Sequence, residues 1–294
     1  TVVPGAFDGW MLMLRDYGSL SLRQVLEPAI YYAGQGHPML PRVSQTIAEM
    51  SEFFRTEWPT SYDLWLPNGQ APAGTSTFTN PTLAATWTRL LAEAESRSGR
   101  EAQIEAARNA FYRGFVAEEI DSFLRDAEVM DASGSKHKGV LNAEDMAHWS
   151  ATIEKPASYD YHDWTVYKTD AWGQGPVLLQ SLALLAGTHV AAMDPTGPDF
   201  IHVVVETMKL AYADREVYYG DPEFSQIPLE TLLSAGYNDA RRGLIGDRAS
   251  FDLRPGIIPG FESLVDRTRG LIAGMDGKHG VVFEPTMGHL AEER

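Results

Sequence analysis

The residues with the clearest chemical potential are spread along the second half of the chain. His202 and Glu206 stand four positions apart in a segment of helical periodicity. That spacing puts both side chains on one face of a helix, where they can ligate one metal ion. No third ligand follows at a recognisable spacing, and the pair lies opposite the segment's apolar stripe, so a solvated helix face accounts for the same letters. Arg215 continues the series Val204, Met208 and Ala211 and is expected to point toward the core. A charge placed there must be paired. Asp214 is adjacent and points elsewhere, whereas Asp221, after Tyr218-Tyr219-Gly220, is the candidate partner. A structural salt bridge is expected, with a clamp for a substrate anion as the other reading.

Gly173-Gln174-Gly175 precedes Pro176 and an apolar run. Glycines allow close backbone approach, and a helix start offers free N–H groups, so this loop is a candidate site for an anion or a carbonyl. A tight turn feeding a buried helix explains the same residues. His162-Asp163 has the composition of a turn between strands. Thr1 has the chemistry of an N-terminal nucleophile, with its own α-amine as base. The residues after it, Val-Val-Pro-Gly, lead into a turn and supply no oxyanion donors, so a trimmed or processed chain start is expected instead. The sequence shows no Ser/His/Asp set, no Walker loop and no HExxH motif.

Mostly helices must position these groups. Leu22, Val25, Leu26, Ala29, Ile30 and Ala33 follow helical spacing after Ser21, a candidate N-cap, and Gly34, Gly36 and Pro38 stop the run. Asn80 caps and Pro81 opens a second stripe through Leu83, Trp87, Leu90, Leu91 and Ala94. A third runs from Val116 to Ala127. Asn142 begins a short helix with Asp145 at its third position, and Leu141 and Met146 are placed to staple the entry. Residues 150–169 are rich in β-branched and aromatic types and read as two or three strands. A buried helix over 176–186, a Pro/Gly loop over 194–198 and a long helix from Asp199 come next. That long helix is expected to bury Ile201, Val204, Val205, Met208, Ala211 and Tyr212 on one face. Residues 58–79 and 250–294 read as loops, and no complete parallel βαβ sheet is visible. The fold class is therefore α+β, helix-rich with a small antiparallel strand cluster.

Composition narrows the partners. The chain has 294 residues and a formal net charge of −16. An anionic surface repels phosphate backbones, which disfavours nucleic acid and anionic membranes. No apolar run approaches the ~20 residues that span a bilayer. With no cysteine, disulfides, thiol nucleophiles and iron–sulfur clusters are excluded.

Several stretches, in order, resemble the large subunit of the gamma-glutamyltransferase family of N-terminal nucleophile (Ntn) hydrolases. They are Val3 to Trp10, Tyr17 to Leu22, Glu27 to Ile30, Phe78 to Pro81, Phe111 to Gly114, Gly139 to Leu141 with Glu144-Asp145, and Gly175 to Gln180. The most specific is Lys209-Leu-Ala-Tyr-Ala-Asp-Arg215 with Tyr218 and Gly220-Asp-Pro222, and the match covers roughly residues 2 to 246. The resemblance implies the helix-rich part of an αββα sandwich. It also implies a self-cleaved precursor, in which a small subunit begins with the Thr that attacks a γ-glutamyl amide and forms an acyl-enzyme for water or an amine to take.

The sequence departs from the family's pattern in three places. The family's carboxylate-clamping Arg lies upstream of the Val-Pro-Gly motif at which this chain begins. The nucleophilic Thr is expected beyond Arg294, since Thr286 is followed by Met-Gly-His and lacks a Gly-Asp-Thr setting. Gly173-Gln174-Gly175 replaces a double-Ser loop, which opens the specificity toward cephalosporin side chains or other acyl groups. By resemblance, residues 1–249 form the family-like domain and 250–294 an irregular segment leading toward the processing site. No catalytic residue and no cofactor is expected in this chain. Gly173, Gln174 and Gly175 are the substrate-binding candidates, Arg215 and Asp221 become structural, the partners are the small subunit and a small acyl-amide substrate, and the resemblance favours a periplasmic or secreted location. The competing readings are a non-catalytic helical interaction domain and a metal-dependent hydrolase built on His202 and Glu206.

Overall fold

In the computed structural model, residues 2–275 are described, and they fall into two compact units, 2–152 and 153–275. The first unit carries helices α1 (Ala6–Tyr17), α2 (Leu22–Gln35), α3 (Pro41–Glu49), α4 (Ser51–Glu57), α5 (Pro59–Trp65), α6 (Pro81–Glu95), α7 (Arg100–Tyr112), α8 (Phe115–Asp126) and α9 (Ala143–His148). It also holds two short antiparallel pairs, β1 (His37–Pro38) with β2 (Thr77–Phe78) and β3 (Glu128–Met130) with β4 (Lys136–Lys138).

Local chemistry sets several boundaries. Ser21 and Gln24 form a reciprocal capping box at the start of α2, and Asn142 and Asp145 form another at α9. Asn80 accepts from the Leu83 amide at 2.9 Å, and Pro81 takes the first turn of α6, where no N–H is needed. Leu141 and Met146 are both buried in the core of this unit with Phe7, Leu22, Leu90 and Ile104. Phe7 stacks on Trp87 and Phe111 within that core. Arg100 gathers the free carbonyls at the end of α1, donating to Arg15, Gly18 and Leu20. The stretch 58–79, read as a loop, contains α5 and β2. Pro59 opens α5, and the Trp65 ring stacks on Phe78.

The second unit carries β5 (Ala157–Tyr161), β6 (Trp164–Lys168), α10 (Gly175–Leu185), a 3₁₀ turn at Val190–Ala192, α11 (Pro198–Tyr218), α12 (Leu229–Leu233), α13 (Ala235–Arg242) and α14 (Glu262–Met275). Strands β5 and β6 form one antiparallel hairpin in which Tyr161 faces Trp164. The two residues between them are His162 and Asp163, and His162 takes φ 52°, as a tight hairpin turn requires. Helix α10 lies at the centre of the unit, packed by α11, α12, α13 and both strands. It is apolar on nearly every side, which is the pattern of a buried helix. Helix α14 lies in a stretch where the sequence shows no stripe. It buries Val265 against Val217, Tyr218, Leu232 and Ile258. Thr1, Thr286 and the rest of 276–294 lie outside the described residues.

Helix α11 corrects the reading of its faces. Ile201, Val205, Met208 and Tyr212 are exposed, at 52%, 44%, 41% and 37%. The buried face carries Glu206, Thr207, Leu210, Ala211, Ala213, Asp214, Val217 and Tyr218. Of the residues expected inside, Ala211 is fully buried. The two carboxylates of the buried face, Glu206 and Asp214, have partners from later in the chain, which a local periodicity cannot register.

Candidate functional site

The loop Gly173-Gln174-Gly175 joins β6 to α10. The Gly173 amide donates to the Asp170 carbonyl at 3.0 Å and closes a turn. Gln174 is the exposed N-cap of α10 and makes no side-chain cap, and Pro176 sits in the first turn. Gly175 is buried. A Cβ there would stand 2.5 Å from the Thr169 carbonyl oxygen and 2.8 Å from the Lys168 Cβ, so glycine is needed for the close packing of strand end on helix start. Trp172, beside the loop, is exposed, and its indole N–H donates to Glu154 at 2.7 Å. The loop therefore combines a structural glycine with an exposed helix start.

The buried polar chemistry of this unit centres on Asp214, with no exposed surface. Its Oδ1 accepts from the Gly256 amide at 2.7 Å and from Arg241 at 3.1 Å. Its Oδ2 accepts from Gln180 at 2.6 Å and from the Tyr237 hydroxyl at 3.0 Å. Burial pushes the Asp214 carboxyl above its ordinary value, against the pull of Arg241, Gly256, Gln180 and Tyr237. The Tyr237 hydroxyl is itself pushed far up by burial and by the charge of Asp214. This arrangement stitches α10, α11, α13 and residue 256 together, and every lone-pair direction of the carboxylate is used.

Sequence reasoning assigned the buried charge to the wrong arginine. Arg215 is partly exposed and pairs with its neighbour Glu216, with its guanidinium 5.1 Å from the centre of the Tyr212 ring. Asp221 lies in its own exposed turn, where it accepts from the Glu223 amide at 2.9 Å. The buried cation is Arg241, and its partner is Asp214, the residue expected to point elsewhere. The only local signal was the Arg241-Arg242 pair at the end of an N-capped helix, which does not name a partner 27 residues earlier.

Glu206 is also corrected. It is 1% exposed, not on a solvated face. Its Oε1 accepts from Lys209 and from the Ser250 amide at 3.2 Å, and its Oε2 accepts from Arg254 at 2.6 Å. Burial raises the Glu206 carboxyl, and these donors more than offset it, leaving it below the ordinary value. His202 donates from Nε2 to the Gly246 carbonyl at 2.7 Å. Both side chains are thus spent on residues 246–254, and among the described residues no group of three His, Cys, Asp or Glu is placed to hold a metal ion. No helix of the described residues is long and apolar enough to cross a membrane.

Fold and site together define a helix-rich α+β chain of the Ntn-hydrolase large-subunit type, in which buried carboxylates organise a scaffold. The chain belongs to the gamma-glutamyltranspeptidase family, whose model matches residues 1–262. It is 32% identical over 237 residues to the glutathione hydrolase-like YwrD proenzyme of Bacillus subtilis, covering 80% of this chain and 40% of that protein. The solved structure of LmbA2991HD is 51% identical, with a TM-score of 0.78, over 86% of this chain and 43% of that one. The cephalosporin acylase of Bacillus halodurans is 29% identical, with a TM-score of 0.73, over 86% of this chain and 44% of that one. This chain thus spans about two-fifths of the length of the relatives it matches.

Proposed function

We propose that this chain is the large-subunit scaffold of an Ntn amidohydrolase or acyltransferase of gamma-glutamyltransferase type. The family match over residues 1–262 carries the reading. In it, a Thr outside this chain attacks the carbonyl carbon of a γ-glutamyl or related amide, with its own α-amine taking the hydroxyl proton. The amine leaves with a proton, an acyl-enzyme ester remains, and water or a second amine receives the acyl group. The chain supplies no nucleophile of its own.

Two observations support a second chain as partner. The exposed stripe Ile201, Val205, Met208 and Tyr212 lies along one side of α11 and leaves an apolar face without a cover among the described residues. The relatives are more than twice as long and include proteins named as proenzymes. The loop at Gly173, Gln174 and Gly175 is our candidate for contact with substrate. Its exposed N-cap and neighbouring Trp172 suit a small acyl group or its carboxylate.

A second reading within the same chemistry is a cephalosporin-acylase-like amidase. It is favoured by the 29% identity to a cephalosporin acylase. The test is release of p-nitroaniline from a γ-glutamyl anilide by the full-length protein, in parallel with side-chain release from a cephalosporin. Turnover of either substrate supports the family chemistry and chooses between the readings. Turnover of neither, by a protein that has matured into two chains, removes both.

A further inference from the structure

The chain holds five asparagines, Asn68, Asn80, Asn109, Asn142 and Asn238. Four of them are held by their side chains. Asn80 and Asn142 cap helices, Asn109 accepts from Arg113 at 3.1 Å, and Asn238 donates to the carbonyls of Leu232 and Ser234 at 2.8 Å each. Asn68 is exposed, and its side chain has no hydrogen-bond partner among the described residues. It is also followed by glycine, as none of the other four is. Asn80 is followed by Pro81, which has no amide proton to lose.

Asn68 lies at the tip of a turn. Pro67 and Gly69 take the second and fourth places of Leu66-Pro67-Asn68-Gly69, the pattern of a type I turn. The Gly69 amide donates to the Leu66 carbonyl at 2.8 Å. Gly69 takes φ 73°, in the left-handed region that favours glycine. Residues 67–70 are exposed, whereas Leu66 is buried and packs with Met39 and Ile47. The turn is therefore anchored at one end and open to water at its tip, where a backbone bond opens at low cost. Opening frees the Gly69 nitrogen beside an unbound side-chain amide, and no Cβ on residue 69 shields one from the other.

We propose that Asn68-Gly69 is a self-modification site, at which the chain converts a neutral amide to a carboxylate with water as co-reactant. The Gly69 nitrogen loses its proton and attacks Asn68 Cγ. The N–Cγ bond forms, the Cγ–Nδ2 bond breaks, and Nδ2 leaves as ammonia, taking up a proton in place of the one lost. Water then opens the cyclic imide at either of its carbonyls. One opening gives aspartate. The other gives isoaspartate, in which the backbone runs through the former side chain. Either product places a negative charge just past the C-terminal end of α5, where the helix dipole disfavours it. The isoaspartyl product also lengthens the backbone between residues 68 and 69 and so disrupts the turn that Leu66 anchors.

Incubation of the full-length protein in heavy-oxygen water at neutral and mildly alkaline pH tests it, followed by peptide mapping that separates aspartyl from isoaspartyl forms. Heavy oxygen in the product marks conversion during the incubation and not during digestion. The other asparagines must first give up a side-chain hydrogen bond, so conversion at Asn68 is expected to be faster by about tenfold or more. Both product forms should appear, and the rate should rise with pH, because the deprotonated nitrogen attacks. Gly69→Ala, whose methyl meets the Tyr62 hydroxyl at an ordinary 3.5 Å, should slow the conversion. An Asn68 that keeps its amide, or converts no faster than Asn109 in α7, overturns the proposal. Aspartate as the sole product, or a Gly69→Ala rate equal to that of the unsubstituted protein, assigns the change to direct hydrolysis and overturns it too. None of these readouts uses turnover, so they stand apart from the enzymatic reading.

Discussion

At the residue scale, two buried carboxylates, Glu206 and Asp214, spend their hydrogen bonds on holding the scaffold together. Asp214 takes four donors in a fully buried site, so Asp214→Ala leaves Arg241 buried without a counter-charge. A loss of about 3–5 kcal/mol in urea unfolding of the full-length protein is expected. Asp16→Ala, which breaks a surface pair with Arg15, should cost far less, since exposed ion pairs are screened by water and salt. Equal losses would show that the buried network does not organise this unit. Asp8 gives the pH dependence. Burial raises its carboxyl, while Arg108, the Ala151 amide and Ser150 more than offset that and hold it below the ordinary 3.8. Its folded-state value is therefore lower than its unfolded one. Its contribution is complete above the unfolded value and is lost as pH falls through the folded one. Unfolding midpoints measured from pH 6 down to pH 2 should drop on the acid side, and Asp8→Asn should flatten that part of the drop. A variant that keeps the full acid slope would assign it to other groups.

At the element scale, Gly175 is the tightest constraint near the candidate loop. Gly175→Ala drives a methyl into the Thr169 carbonyl and the Lys168 side chain. It should destabilise by about 1–3 kcal/mol, read as a shift in the urea midpoint. Gly173→Ala meets the Thr169 hydroxyl at 3.2 Å and the Asp170 carbonyl oxygen at an ordinary 3.8 Å, and should be milder. A reversed order would place the packing constraint elsewhere in the loop. Elements whose signals are local were legible in the sequence. Ser21, Asn80 and Asn142 cap the helices they were expected to cap, because a cap is a contact within three residues. The His162-Asp163 turn and the buried helix after Pro176 were legible for the same reason. Helix α11 was not. Its apolar stripe is real and faces outward, because Glu206 and Asp214 find donors 23 to 48 residues later and can be buried. Periodicity reports which side is apolar, and that side is buried only when another element covers it. Helix α14 was missed because, among its described side chains, Val265 alone is fully buried, with charged neighbours around it.

At the scale of the whole molecule, the described residues form two units of scaffold character, and the family match extends over both. The strong acidity disfavours polyanion partners and leaves small molecules and other polypeptide segments. Two apolar features of the second unit, the α11 stripe and the side chains of Phe251, Leu253 and Ile257, are exposed among the described residues. A scaffold completed by further polypeptide accounts for both together with the shares of length matched in the relatives. The non-catalytic alternative requires a closed polar surface, and the exposed stripe argues against it. The family was legible from short ordered motifs because several of them build identifiable structure. Gly5 packs under Trp149, and Asp214 of the Lys209 to Arg215 stretch anchors the buried network. The roles of Arg215 and Arg241 were not legible, since that choice depends on a tertiary contact.

Intact-mass analysis with N-terminal sequencing of the purified full-length protein decides whether this chain is completed by a second one that carries the nucleophile. Two chains are predicted, the smaller beginning with Thr and gaining the mass of one acyl group when quenched during turnover of an acyl-amide substrate. A single uncut chain, or an acyl adduct carried by residues 1–294, would contradict it.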